Sequence, residues 1–299
     1  MRPLRWQIFL HLLLVYVSWG STYIGLKLTL EVLGPFSACG LRMFLGGLIF
    51  CLWLAATGQW RRPHAADLRH AAAFGICMVV MASGFLTVGQ RSIDSGVAAV
   101  VSGSTPITML LAAWLCAGEE RPALPQWLGL LGGMAGLAML GMGGGDGLRA
   151  DPWGMAWVLA GTFGWVAGSL RMRSRPFATA LSPRQSCALL LLAGGLECLV
   201  LSVLCGEAAL AHPENLRPET LLAFSWMVVG GAILAYNSYF WLLAHVSIAT
   251  AVSYEYVVPV IGILLGWLLG GEPLTGRMLL ASCLSIGSVF LVIWHRHNR

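Results

Sequence analysis

The sequence predicts an all-α integral membrane protein with ten transmembrane helices arranged in two inverted five-helix repeats. Three observations predict this fold: the composition, the spacing of the apolar runs and an internal duplication. The chain has 299 residues, of which 58% are hydrophobic and only 10% charged, with a mean hydropathy of +0.77. A soluble domain normally carries about 25% charged residues. A soluble fold could not cover this apolar surface with so few charges, so lipid must be much of its solvent.

Ten apolar runs are long enough to cross about 30 Å of hydrocarbon. They cover roughly residues 7–29, 35–57, 69–89, 95–117, 124–142, 153–172, 184–205, 220–242, 247–270 and 275–295. No small-residue cleavage site follows the first run, which is therefore predicted to be an uncleaved span. With the N-terminus in the cytoplasm, twelve arginines fall on the cytoplasmic side and four on the outside. This excess predicts that both termini are cytoplasmic.

The duplication divides the chain into repeats at residues 1–142 and 153–299, joined by a flexible linker at residues 143–152. GPFSACGLRMFLGGL (34–48) aligns without gaps with SPRQSCALLLLAGGL (182–196), and the run 95–120 aligns with 248–273. Trp19 and Trp165 also correspond. Because each repeat has five spans, the second must enter the membrane upside down. Inverted repeats with a binding site at the midplane are typical of secondary transporters.

The remaining composition argues against other classes of protein. The net charge of +5 comes from basic residues scattered between apolar runs, so no nucleic-acid partner is predicted. The eight cysteines lie in or beside apolar runs without C-x-x-C spacing, which predicts buried free thiols, no metal site and no cofactor. H-E-x-x-H and G-x-S-x-G are absent, and the GGGD of the linker has no second aspartate within a span. An intramembrane enzyme and a passive channel remain the alternatives to a carrier.

Four ionisable residues lie within the spans: Lys27, Arg42, Glu197 and Glu255. Their charges sum to zero, so mutual pairing is open to them. Lys27 lies near the outer end of its span and either faces the site or snorkels to the headgroups. Arg42 lies about 10 Å deep, seven residues after Pro35, and is predicted to face the bundle interior. Glu197 is either a protonated packing residue or a functional one.

Glu255 is the ionisable residue best placed for function. It shares one helical face with Pro259, Gly262, Gly266 and Gly270. Small residues at this spacing let another helix approach closely. A carboxylate inside a span costs about 3 kcal/mol on insertion scales, so such residues usually face the interior and serve a function. We therefore expect Glu255 to point inward, as a proton-coupling or cation-recognising carboxylate.

Two prolines are predicted to break helices at corresponding positions of the repeats. Pro259 and Pro106 lack an N–H, which frees the carbonyls of Glu255 and Ser102. Pro106 follows the polar run SGST, whose Ser102 and Thr105 are candidate binding groups. Paired broken helices point to a transport site, although a plain kink repaired by nearby hydroxyls is the alternative for each helix.

Aromatic residues supply the other candidate contacts. Trp19, Tyr23 and Lys27 share one helical face, and Trp165 lies at the position equivalent to Trp19. The further candidates are Tyr254, Tyr256 and Asn237. Aromatic walls with few polar groups suit an amphiphilic or aromatic solute. For any one of these residues, packing in the core is the competing interpretation.

WGSTYIGLK (19–27), Arg42 and PVIGILLGWLLGGEPLT (259–275) together resemble the EamA family of the drug/metabolite transporter superfamily. The resemblance covers nearly the whole chain. It implies ten helices in two inverted halves, in a bacterial inner-membrane carrier that exports metabolites, amino acids or toxic compounds. It implies no particular substrate, and Glu255 departs from the apolar or small residue usual there. The combined prediction is an inner-membrane secondary transporter that exports a small amphiphilic metabolite, amino acid or drug across the lipid bilayer by alternating access. Protons are a candidate partner, and the oligomeric state is open.

Overall fold

The computed structural model describes residues 5–117, 121, 124, 127–128, 131–132, 135–136, 139, 147–174, 181–246, 251 and 254–297. These residues form a bundle of helices that occupy the predicted spans. The helices are α1 (Arg5–Leu30), α2 (Pro35–Ala56), α3 (Ala65–Gly89), α4 (Ser95–Ser102), α5 (Thr105–Ala117), α6 (Pro152–Ser174), α7 (Pro183–Leu204), α8 (Pro218–His245), α9 (Tyr254–Gly270) and α10 (Gly276–His297). Most of the predicted run at 124–142 lies outside the described residues.

Among the described residues, five helices are long and apolar enough to cross a membrane, judged by length and composition: α1, α2, α3, α7 and α8. Prolines begin several helices, because the fixed φ of proline suits the first helical turn and its missing N–H costs nothing there. Pro35 begins α2, Pro183 begins α7 and Pro218 begins α8. Large apolar side chains such as Phe9 and Val203 remain exposed on the outside of the bundle, as lipid-facing residues would be.

The start of α1 and the end of α10 lie on the same side of the described bundle, as the contacts at their other ends show. Lys27, near the end of α1, donates a hydrogen bond to the carbonyl of Gly270 at the end of α9, 2.7 Å away. The next helix, α10, starts at this end and therefore finishes on the side where α1 begins. We call the side where α1 begins the termini side, and the opposite side the far side.

Among the described helices, the most extensive interface joins α2 and α7, which cross in antiparallel directions. Gly40 packs against Leu199 and Gly195, whereas Gly47, two turns further along α2, packs against Leu192 and Ala188. Because these positions lack a Cβ, the two backbones approach more closely than larger residues would permit.

Two helices contain π-helical segments that sequence patterns did not predict. Ile76–Gly84 is a π-helix within α3, and Met227–Leu234 is one within α8. The wider π turn exposes backbone carbonyls to side-chain donors, and π segments frequently occur at functional sites.

The prolines do not break both helices. The predicted span at 95–117 is interrupted at Gly103 and Ser104, directly before Pro106. The predicted break at Pro259 is wrong, since α9 continues as one helix from Tyr254 to Gly270. The Pro259 ring packs against Gly103 of the interrupted helix, so proline and break meet at one contact between the two helices.

A buried carboxylate holds the start of α2. Glu207 accepts hydrogen bonds from the backbone N–H groups of Phe36 (2.9 Å) and Ser37 (2.7 Å) and from the Ser37 hydroxyl (3.0 Å). These N–H groups have no partner inside their own helix, and a negative charge interacts favourably with the positive end of the helix dipole.

The described cysteines are free thiols, although not all are buried. Cys39, Cys51, Cys187 and Cys198 are buried, and Cys77 is half-buried. Cys205 and Cys283 are exposed, which corrects the expectation of burial for these two. The Cys116 side chain lies outside the described residues.

Candidate functional site

A cavity lies within the described bundle, and residues from both the first and the second half of the chain line it. Its α1 residues come from the second half of α1, and its α2 residues come from the first half of α2, which runs back toward the termini side. Eight of the residues named in the sequence analysis line it: Trp19, Tyr23, Arg42, Ser102, Thr105, Trp165, Tyr254 and Glu255. Further lining residues are Thr22, Ser83, Leu86, Thr162, Gly231 and Tyr236.

Interlocking aromatic rings form the part of the cavity wall that lies nearest the termini side. Trp19 contacts Tyr254, Trp165 and Tyr239 edge-on or tilted, with ring centroids 4.8, 5.3 and 5.4 Å apart. Tyr236 joins the same cluster, 5.8 Å from Trp165. Such edge-on pairs are favourable and fill space tightly. Tyr239 and Tyr236 were not predicted as site residues from the sequence, because they belong to a stretch of several aromatic residues at 236–241 with no distinguishing feature.

Glu255 lines the cavity and is 4% exposed. The side chains of Tyr254 and Thr105 lie within hydrogen-bonding reach of its carboxyl group. It therefore faces the interior of the bundle, as predicted, and is surrounded by hydroxyl groups instead of a cation. A carboxyl group in this setting can exchange a proton or bind a cationic group of a ligand.

Arg42 faces the same cavity and is 2% exposed. Its Nη1 lies 3.9 Å from the sulfur of Met227, a weak acceptor. Its Nε has no hydrogen-bond partner among the described residues. A buried guanidinium with donors left over is suited to binding an anionic or carbonyl oxygen of a ligand.

Ser102 and Thr105 line the cavity at the break between α4 and α5. The Thr105 hydroxyl donates to the carbonyl of Ser102 at 2.6 Å. The carbonyl that Pro106 frees is thus satisfied by a nearby hydroxyl, which was the alternative weighed for this proline. The side chains of Ser102 and Thr105 still line the cavity near Glu255, where a ligand can contact them.

The π segments present carbonyls to the aromatic residues of the cavity. Trp19 Nε1 donates to the carbonyl of Gly231 at 3.2 Å, and the Tyr236 hydroxyl donates to that of Met78 at 3.0 Å. The Tyr236 hydroxyl also lies 3.1 Å from the hydroxyl of Ser83. These bonds join α1 to α8 and α8 to α3, so the cavity walls depend on the π geometry.

Two predicted site residues lie away from the cavity. Lys27 does not line the cavity, and its Nζ instead lies 3.1 Å from Glu272 Oε1. Asn237 is half-buried on α8 and does not line the cavity. The Tyr256 side chain lies outside the described residues.

Glu197 also lies outside the cavity. It packs against Gly75 where α7 meets α3, and its Oε2 has no hydrogen-bond partner in the part of the chain that the structure describes.

A bundle of apolar, membrane-length helices around a partly polar cavity is typical of membrane transporters. The sequence model of the EamA-like transporter family matches residues 6–142 and 152–294. The chain therefore belongs to this family.

Individual relatives agree with that assignment. The chain is 32% identical over 286 residues to the inner membrane transporter YedA of Escherichia coli, covering 95% of this chain and 90% of YedA. It is 24% identical to the transporter YoaV of Bacillus subtilis, covering 95% and 96% of the two chains. A crystal structure with 19% identity superposes with a TM-score of 0.67 over 99% of both chains, a likeness in fold.

Proposed function

We propose that the protein is an inner-membrane secondary transporter that exports a small amphiphilic metabolite, amino acid or drug by alternating access. The cavity is the substrate site. Residues 1–142 and 153–299 are the two inverted repeats, the linker is 143–152, and both termini are cytoplasmic. The termini side of the bundle is then the cytoplasmic side.

One observation carries this proposal: a buried acid and a buried base, Glu255 and Arg42, line one cavity. Neither forms an ion pair among the described residues. Burying two separate charges is costly, and such charges in membrane proteins mark substrate or ion pathways. A binding site enclosed among packed aromatic rings suits a carrier, which encloses its substrate, better than a channel, which needs a continuous path.

The two charges also favour one of the three substrate classes. A cationic drug would leave Arg42 without a counter-charge, and a neutral metabolite would leave both charges unpaired. An amino acid with an apolar side chain presents an ammonium group to Glu255 and a carboxylate to Arg42. Its side chain would pack against Trp19, Trp165 and Tyr254.

The packing of α2 against α7 supports the inverted arrangement. These helices correspond in the duplicated sequence, and they run antiparallel. Gly47 and Gly195 occupy equivalent positions in the duplication, and each packs against the other helix. Reciprocal contacts between equivalent residues are what a two-fold axis in the membrane plane produces.

The α3–α7 and α2–α8 contacts repeat the same pattern. Gly194 of α7 packs against Val79 of α3, and its equivalent, Gly46 of α2, packs against Ala232 of α8. The family match in two segments, 6–142 and 152–294, agrees with repeats of this size.

Glu255 is then the group that couples transport to the movement of protons or that binds the cationic group of the substrate. The test is uptake of radiolabelled amino acids into inside-out membrane vesicles, with and without a pH gradient. Glu255→Gln is expected to abolish the stimulation by the gradient, because an amide cannot exchange a proton. Glu197→Gln, which changes an acid outside the cavity, is the matched control.

Full and still pH-dependent uptake by the Glu255→Gln protein would remove this residue from the mechanism. Saturable uptake that shows counterflow would distinguish a carrier from a channel. Substrate on the opposite side of the membrane stimulates uptake by a carrier but not flux through a channel. If the vesicles take up a labelled organic cation but no amino acid, the proposed substrate class is wrong. The proposal that the protein is a carrier would still stand.

A further inference from the structure

Trp19 and Trp165 occupy corresponding positions in the two repeats, yet only one indole N–H is used. The rings contact each other with centroids 5.3 Å apart. Trp19 Nε1 donates to the carbonyl of Gly231 in the π segment of α8. Trp165 is 8% exposed, and its Nε1 has no hydrogen-bond partner within the described ranges. The Tyr239 hydroxyl lies close to this N–H without forming an aligned bond.

The contacts identify the acceptor that corresponds to Gly231. Gly46 and Gly194 are equivalent in the duplicated sequence, and they pack against Ala232 and Val79, respectively. Ala232 of α8 therefore corresponds to Val79 of α3. One residue back along each helix, Gly231 corresponds to Met78.

A second pair of contacts leads to the same correspondence. Gly231 packs against the hydroxyl of Thr22, three residues after Trp19. Gly168, three residues after Trp165, packs against Met78. The bond equivalent to Trp19–Gly231 would therefore run from Trp165 Nε1 to the carbonyl of Met78.

That bond is not formed here, although its acceptor is available. The carbonyl of Met78 accepts one hydrogen bond, from the Tyr236 hydroxyl at 3.0 Å. A carbonyl oxygen has two lone pairs, so a second donor can bind without displacing the first. The unused indole N–H is costly, since an unpaired buried donor loses its hydrogen bonds to water.

We propose that Trp19 and Trp165 are positioning residues that take turns: Trp19 bonds Gly231 in the access state described here, and Trp165 bonds Met78 in the opposite one. The inference rests on the proposed alternating access. In a transporter built from inverted repeats, exchanging the conformations of the two halves converts one access state into the other. A bond made by one half in the first state is then made by its counterpart in the second. The free N–H of Trp165 is the donor of the bond still to be made.

The experiment measures access to the two sides without a substrate. Two reporters are introduced singly, in a background in which native cysteines that react with the reagent are replaced by serine. Leu86→Cys lies in the cavity wall toward the far side. Ser169→Cys lies buried near the termini side, beside Tyr239. The rate of reaction with a membrane-impermeant methanethiosulfonate is measured in right-side-out and inside-out vesicles.

Trp19→Phe and Trp165→Phe, which keep an aromatic ring, are expected to act in opposite directions. Trp19→Phe slows the reaction at Leu86→Cys and speeds that at Ser169→Cys, by roughly threefold to tenfold for one hydrogen bond. Trp165→Phe slows the reaction at Ser169→Cys and does not slow that at Leu86→Cys. The double variant returns both rates toward those of the parent, which also guards against a fold defect in either single variant.

Shifts in the same direction for both variants, or no shift in either, would overturn the exchange of bonds. A different result would overturn the proposed function itself: no reaction at Ser169→Cys in any background, since the termini side would then never open.

Discussion

The carboxylate of Glu272 caps the first turn of α4 at Ser95, although 177 positions separate the two residues. Glu272 accepts from the Ser95 N–H (2.8 Å), the Ser95 hydroxyl (2.7 Å) and the Gly96 N–H (3.1 Å), and it pairs with Lys27. One buried side chain thus ties α1, α4 and the loop after α9 together on the far side. Its role parallels that of Glu207 at the start of α2.

Glu272→Gln is expected to destabilise the protein by about 1–3 kcal/mol. The amide keeps the size of the side chain but loses the negative charge that the helix N-terminus and Lys27 stabilise. Thermal unfolding of the purified protein in detergent measures the change. Glu219→Gln, at an exposed glutamate in the first turn of α8, is the control and is expected to change the stability little.

The cap at α2 predicts a similar loss. Glu207→Gln removes the charge-assisted bonds to Phe36 and Ser37 and is expected to cost about 1–3 kcal/mol. The same thermal measurement checks it. A variant as stable as the parent would mean that the Glu207 contacts contribute no net stability.

At the glycines between α2 and α7, substitution by alanine is expected to lower the stability of the protein instead of raising it. In most helices Gly→Ala stabilises by about 0.5–1 kcal/mol. At Gly47 and Gly195, however, an added Cβ would meet the backbone of Leu192 and Phe44. Gly47→Ala and Gly195→Ala are therefore expected to destabilise by about 1–3 kcal/mol through overpacking. Gly276→Ala, where a Cβ meets no neighbour, is the matched control, and equal effects at all three sites would contradict the close approach.

Asp94 predicts a pH-dependent stability outside the spans. Burial raises the pKa of Asp94 above its ordinary value of 3.8, and the charge of Glu272 adds to this rise. A carboxyl group whose folded pKa exceeds its unfolded pKa lowers stability when it is charged. That loss is complete above the folded pKa and disappears as the pH falls through it toward 3.8.

Asp94→Asn is therefore expected to raise the melting temperature at pH 7 and to leave it nearly unchanged at pH 4. The amide oxygen can still accept from the Arg149 N–H, which now donates to Asp94 at 2.9 Å. Melting curves of both proteins at the two pH values provide the comparison. A variant less stable at pH 7 would mean that the charge itself is needed by the Arg149 segment.

Much of the site was readable from single positions. Glu255 and Arg42 were identified because a charge inside an apolar span is costly, and both line the cavity. Lys27 and Asn237 were also candidates but do not line the cavity, because helical periodicity defines a face but not which neighbour covers it. The π segments carry no signal in the sequence, since apolar residues suit α and π turns alike.

The sequence by itself determined where the helices lie and which residues are equivalent in the two repeats. Crossing a bilayer requires long apolar segments, and a duplication leaves identical residues at equivalent positions. It also predicted that Glu255 and Arg42 each face the interior of the bundle. Only the tertiary structure decided their neighbours: that Glu272 caps α4, that Pro259 stays helical against Gly103, and that Trp19 is bonded while Trp165 is not. These outcomes depend on contacts between segments far apart in the chain, and such contacts are set by how all the helices pack at once.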